Sequence, residues 1–161
     1  MLFREIEVMA TTATRQLELS SPAFQAEGNI PAKYTCDGEG INPPLNIRNL
    51  PEDVHTLALI VEDPDAPGGT FDHWLVWNIR PAATINEHSN PGISGNNSAG
   101  KTGYHPPCPP KGSHRYYFHI YALDHELDLE PGESKESLQK AMKSHILAEG
   151  TIMGRYERQG K

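Results

Sequence analysis

A chain of 161 residues with a net charge of −7 is long enough to bury one core and too short for two ordinary domains. Hydrophobic residues make up 37% and charged residues 22%, and 14 glycines and 14 prolines are spread without a period, which excludes a collagen-like chain and argues for many turns between short strands. The acidic balance disfavours a nucleic-acid partner, which would require a basic surface, so any anion site has to be built locally.

The first sixteen residues (MLFREIEVMATTATRQ) carry charges and threonines where a secretory signal would be apolar. Residues 1–16 are expected to be an N-terminal extension outside the fold, disordered on one reading, with Met9 an alternative start; residues 17–158 form the single domain. Leu17–Leu19 opens with a short alternating strand, ended by Ser20-Ser21-Pro22. Turn-rich sequence follows through Tyr34-Thr35-Cys36-Asp37-Gly38, and Pro43-Pro44-Leu45 is extended because each proline fixes φ and restricts its predecessor. Thr56–Val61 (TLALIV) is a continuous apolar run that fits a central strand covered on both faces. Trp74–Ile79 and Tyr116–Leu123 are the next clear strands. Between them Arg80–Gly103 is too long for a structureless loop in a compact domain, so it is either functional or hides a short strand.

One helix is predicted near the C-terminus, N-capped by Ser134, with Leu138, Ala141, Met142 and Ile146 as its buried stripe. Gly150 breaks that pattern, and Thr151–Tyr156 returns as a last strand. Strands followed by one late helix, with no βαβ alternation, point to an antiparallel β-sandwich. No apolar stretch approaches the roughly 20 residues that span a membrane, and the default location is cytoplasmic. Cys36 and Cys108 leave two readings, separate buried thiols (the preferred one) or a single bridge between two loops.

Three segments concentrate unusual residues at strand ends: Asp63-Pro64-Asp65-Ala66-Pro67, Phe71-Asp72-His73-Trp74 and Lys111-Gly112-Ser113-His114-Arg115-Tyr116. Two histidines and a carboxylate on one cavity suit a phosphate-sized anion, because a bound anion draws imidazole into its charged, two-donor form. Asp63 could orient a histidine ring, or accept the proton of a monoprotonated phosphate or an ammonium head group. Each residue also has a structural reading: His73 and His114 as satisfied core histidines, Asp65 as a turn residue, Arg115 as an ion-pair partner for an aspartate. His119 shares a strand face with Tyr117 and Tyr121 and reads as structural; His55, His88, His105 and His125 receive no role.

Taken together, DPDAP at Asp63–Pro67 and Gly112-Ser113-His114-Arg115-Tyr116 resemble the signatures of the phosphatidylethanolamine-binding protein family. Tyr34–Gly38 with Asn42-Pro43-Pro44-Leu45, Gly100–Tyr104 and Cys108-Pro109-Pro110 are similar to its bacterial and archaeal Raf-kinase-inhibitor-like branch, over roughly Leu17 to Arg158. The resemblance implies a mainly β, antiparallel Greek-key β-sandwich of a large and a small sheet with a helix in the C-terminal region. It also implies a pocket for phosphate-like anions, including phospholipid head groups, formed by Asp63, His73, His114 and Tyr116 with Pro110 at its rim, and with Asp65 and Arg115 as supports. Asn42 stands where that branch usually has serine, and with Lys161 as the last residue here the longer C-terminal helix that covers the pocket in animal members is not expected.

The expected function is therefore non-enzymatic binding of a phosphate-like anion or phosphorylated head group, with no cofactor and no metal. The alternative is an inhibitor or modulator of a protein kinase or serine protease, with Arg80–Gly103 and His105–Lys111 as candidate contact loops. A metalloenzyme using Asp63, His73 and His114 as a two-histidine, one-carboxylate triad is a third reading, disfavoured by the resemblance. Oligomeric state is left open, a homodimer included.

Overall fold

The computed structural model describes residues 14–159. Among these, the strands are β1 (Arg15–Gln16), β2 (Glu18–Ser20), β3 (Leu45–Arg48), β4 (Thr56–Asp63), β5 (Phe71–Ile79), β6 (Thr84–Ile85), β7 (Ile93–Ser94), β8 (His114–Leu123) and β9 (Ile146–Tyr156), with one α-helix, α1 (Lys135–Met142). They form a six-stranded sheet in the order β1-β9-β8-β4-β5-β7 and a three-stranded sheet in the order β2-β3-β6. All pairings are antiparallel except β1 with β9, which is parallel.

The apolar run of β4 explains the layering. Leu57, Leu59 and Val61 face the small sheet and join Leu19, Leu45, Ile47 and Ile85 in one core. Ala58 and Ile60 face the other way, with Leu75, Trp77, Leu138 and Met142, so α1 covers the outer face of the large sheet. A strand buried on both faces has no polar positions to alternate, which is why it reads as a continuous run. Ser134 caps α1 as expected, its Oγ accepting from the Ser137 N–H at 3.1 Å.

Several expectations are corrected. Arg15 and Gln16 belong to the fold, paired with Ala148 and Glu149, whereas the rest of the expected extension, residues 1–13, lies outside the described residues. The helix stops at Met142 because Lys143 leaves helical backbone at ψ 133° and Ser144 then turns left-handed at φ 72°, and Ile146 opens β9 instead of closing the helical stripe. Gly150 lies inside β9 and does not break it. A Cβ there would sit 2.4 Å from the Leu17 carbonyl oxygen, so glycine is what lets the N-terminal segment close on the sheet. Arg80–Gly103 hides β6 and β7, and buried Asn97 ties its far end by donating to the Gly103 carbonyl and accepting from the Ala99 N–H.

Cys36 and Cys108 form a disulfide, and both residues are exposed, so the preferred reading of separate buried thiols is overturned. The two cysteines are 72 positions apart, and only the approach of the 34–40 turns to the 105–110 segment brings them together. No helix among the described residues is long and apolar enough to cross a membrane.

Candidate functional site

In an antiparallel sheet the end of one strand lies beside the start of the next. The last residue of β4 (Asp63), the first residues of β5 (Phe71, His73) and the first of β8 (His114, Tyr116) therefore meet at one end of the large sheet, on the side facing the core. Together with Pro67, His105 and Pro110 they line a cavity of about 210 Å³. That is below the roughly 300–1,000 Å³ of pockets for drug-sized ligands. Asp63, His73 and His114 are only 3%, 4% and 6% exposed, so the polar groups are built into the fold and are not surface decoration.

His73 reaches this pocket through a bulge. Val61 pairs with Trp74, but the next residue, Glu62, pairs with Asp72, leaving His73 as an extra, unmatched residue. Strict alternation would have sent its side chain to the opposite face from Trp74. The same shift sends Asp72 to the outer face, where Lys135 lies 2.7 Å from it and 3.0 Å from Glu62.

Each imidazole is fixed by its Nδ1. The His114 Nδ1–H donates to Asp63 Oδ2 at 2.6 Å, and the other Asp63 oxygen accepts the Asp65 N–H at 2.8 Å. The His73 Nδ1 lies 2.6 Å from the His105 carbonyl oxygen; a carbonyl only accepts, so this nitrogen carries the proton. The His105 N–H in turn donates to the His73 carbonyl at 2.8 Å, a reciprocal clamp between β5 and the 105–110 segment. In both histidines Nε2 is left as the nitrogen available to a ligand. Burial pushes the His73 pKa below its ordinary value, favouring the neutral ring.

Of the two jobs open to Asp63, orienting a ring is the one its contacts display. With one oxygen on His114 and the other on backbone, it is a partner of the imidazole and not a third, independent ligand beside it. Asp65 is more than a turn residue: the Arg115 guanidinium grips its two oxygens at 2.9 and 2.7 Å, and the Arg115 N–H adds a third bond at 2.9 Å. Those bonds to Arg115 hold the Asp65 carboxyl down at about 2. Arg115 is thus an ion-pair partner for an aspartate, locking the Asp63–Pro67 turn to β8.

Tyr116 is a fourth wall, 1% exposed, with its ring edge-on to His73 at 5.3 Å, and burial raises its hydroxyl pKa. Pro110 lies at the rim beside Pro109 and Cys108, so the disulfide anchors that rim to the 34–40 turns. His105 was passed over in the sequence, yet its carbonyl holds His73 and its ring packs on Phe71 at 5.3 Å. The available signal was its position directly before Pro106-Pro107, which forces an extended backbone. His119 is structural, bonded to Glu62 and Thr151 on the outer face.

Against known proteins, the profile of the family described as phosphatidylethanolamine-binding protein matches residues 20–157. A UPF0098 protein of Methanothermobacter thermautotrophicus is 46% identical over 150 residues, 88% of this chain and 99% of that protein. One from Chlamydia muridarum is 47% identical over 148 residues, again 88% and 99%. The crystal structure of the phosphatidylethanolamine-binding protein homologue CT736 from Chlamydia trachomatis superposes with a TM-score of 0.87 at 44% identity, covering 91% of this chain and all of that one. The Escherichia coli protein YbcL, at 24% identity and a TM-score of 0.81, covers 89% and 99% and shares the fold. The mainly β two-sheet architecture, the matched span and these relatives together establish that the chain belongs to the phosphatidylethanolamine-binding protein family.

Proposed function

We propose that the chain is a non-enzymatic binding protein whose pocket takes a phosphate-like anion, either free or as a phosphorylated head group. One observation carries this reading: two buried imidazoles, each with Nδ1 fixed by an acceptor, keep Nε2 for the same small cavity. Such a pair can donate two convergent hydrogen bonds once protonated, and a neutral ring can accept the proton of a monoprotonated phosphate. His73, whose pKa burial depresses, takes the acceptor role more readily. Phe71, Pro67 and Pro110 add apolar wall to the pocket, which strengthens hydrogen bonds made at its buried end.

The experiment is calorimetric titration with inorganic phosphate and, separately, phosphoethanolamine, backed by flotation with phosphatidylethanolamine vesicles. Binding is expected to fall tenfold or more in His114→Ala and to weaken as pH rises past ~7, where free imidazole is neutral. His105→Ala should bind more nearly like the parent protein, because its backbone carbonyl, not its ring, holds His73. Equal binding by His114→Ala and the parent would remove His114 from the site. Binding of phosphoethanolamine but not phosphate, with vesicle capture, would assign the head group; the reverse would assign the free anion.

A further inference from the structure

Ten residues of β8 separate the pocket at His114 from a second cluster just past Leu123, about 30 Å away at the other end of the same strand. There Asp124 and His125 leave β8, and His145 arrives from the turn between α1 and β9. The Asp124 Oδ1 lies 2.9 Å from His145 Nδ1 and 3.5 Å from His125 Nδ1, and the three potential ligand atoms are all within 4.8 Å of one another. The two imidazole rings sit edge-to-face with centroids 3.8 Å apart.

We propose that Asp124, His125 and His145 form a surface site for a borderline divalent transition metal such as Zn²⁺, Ni²⁺ or Cu²⁺.

The geometry fits an ion of that size. Metal–nitrogen and metal–oxygen bonds of about 2.0–2.2 Å put adjacent ligand atoms about 3.0 Å apart in an octahedron and about 3.4 Å apart in a tetrahedron. The two Asp124–imidazole separations of 2.9 and 3.5 Å are close to these values, and the imidazole–imidazole separation, within 4.8 Å, closes by rotation of the exposed His125 ring. The donor set selects the ion: two imidazole nitrogens and one carboxylate suit Zn²⁺, Ni²⁺ and Cu²⁺, whereas Ca²⁺ and Mg²⁺ prefer oxygen throughout.

The backbones of the three ligands are held by hydrogen bonds to one another, to the end of α1 and to the start of β4. The Asp124 N–H donates to the His145 carbonyl at 3.0 Å, the His145 N–H to the Met142 carbonyl at 2.9 Å, and Thr56 Oγ1 to the His125 carbonyl at 3.0 Å. Side-chain exposures of 43%, 49% and 34% for Asp124, His125 and His145 leave the outer coordination positions open to water or a further ligand. The ion takes the Nδ1 lone pair of each ring: a neutral ring binds as the tautomer with its single proton on Nε2, and a protonated ring releases its Nδ1 proton to solvent.

The test is titration of ZnCl₂ into tag-free full-length protein in phosphate-free buffer at neutral pH. One ion per chain is expected, and His145→Gln or His125→Gln should each weaken it tenfold or more. Both variants should keep the parent's circular dichroism and the pocket's phosphate binding. With CoCl₂, the visible absorption of nitrogen- and oxygen-bound Co²⁺ should appear in the parent and be lost in both variants. No saturable Zn²⁺ binding, or unchanged binding in His145→Gln, overturns the proposal. So does binding lost in His114→Ala but kept in His145→Gln, which would put the ion in the pocket.

Discussion

Reducing the Cys36–Cys108 disulfide should destabilise the protein by about 4 kcal/mol. The bridge closes a loop spanning 72 positions. In the chain-entropy account a cross-link lowers the entropy of the unfolded chain by about 2.1 + 1.5R ln n cal/mol/K, which for a loop of this size at 25 °C gives about 4.4 kcal/mol. For a chain of this length that corresponds to a melting temperature lower by roughly 9–18 °C. Both cysteines are exposed, so a small reductant reaches them without unfolding the protein. Urea denaturation followed by circular dichroism, with and without reductant and beside Cys36→Ala/Cys108→Ala, measures the difference. The midpoint should fall and the slope m should rise, since the released denatured chain exposes more surface. Phosphate affinity should fall too, because Cys108 belongs to the rim that the bridge ties down. A difference below about 1 kcal/mol, or two titratable thiols in protein prepared without reductant, would refute the reasoning.

Gly150→Ala should cost about 1–3 kcal/mol, read as a lower urea midpoint, because the new methyl group meets the Leu17 carbonyl and must push the N-terminal segment off β9. An unchanged midpoint would mean that this segment contributes nothing to stability. Glu62, bonded to His119 and Lys135, is held ionised down to about pH 2, against an ordinary value of 4.5. Between those values the unfolded chain binds more protons than the folded one, so stability falls as pH drops from 4.5 towards 2. Glu62→Gln should flatten that acid limb while stability near pH 7 also declines; an acid limb identical to the parent's would exclude Glu62 as its source.

The sequence by itself determined the elements whose causes are local. The apolar run at Thr56–Val61 fitted a strand buried on both faces, and Ser134 marked the helix start through a cap that reaches only three positions along the chain, to Ser137. It also offered the pocket's side chains, Asp63, His73 and His114, as candidates at strand ends, while their convergence on one cavity was implied by the family resemblance and not by spacing. Where the causes lie far apart in the chain, only the tertiary structure decided. His73 joins the pocket face because a bulge opposite Glu62 shifts the register by one residue, a property of two paired strands that neither one displays alone. His105 enters through its carbonyl, an atom every residue has, so its identity gave no sign of the role. Gly150 resembled a helix breaker until Leu17 arrived from the other end of the chain. Asp124, His125 and His145 are ordinary polar turn residues until β8 and β9 pair and bring positions 21 apart within bonding distance. Short-range propensity is written in neighbouring residues; register, bulges and the meeting of distant loops are set by packing the whole core at once.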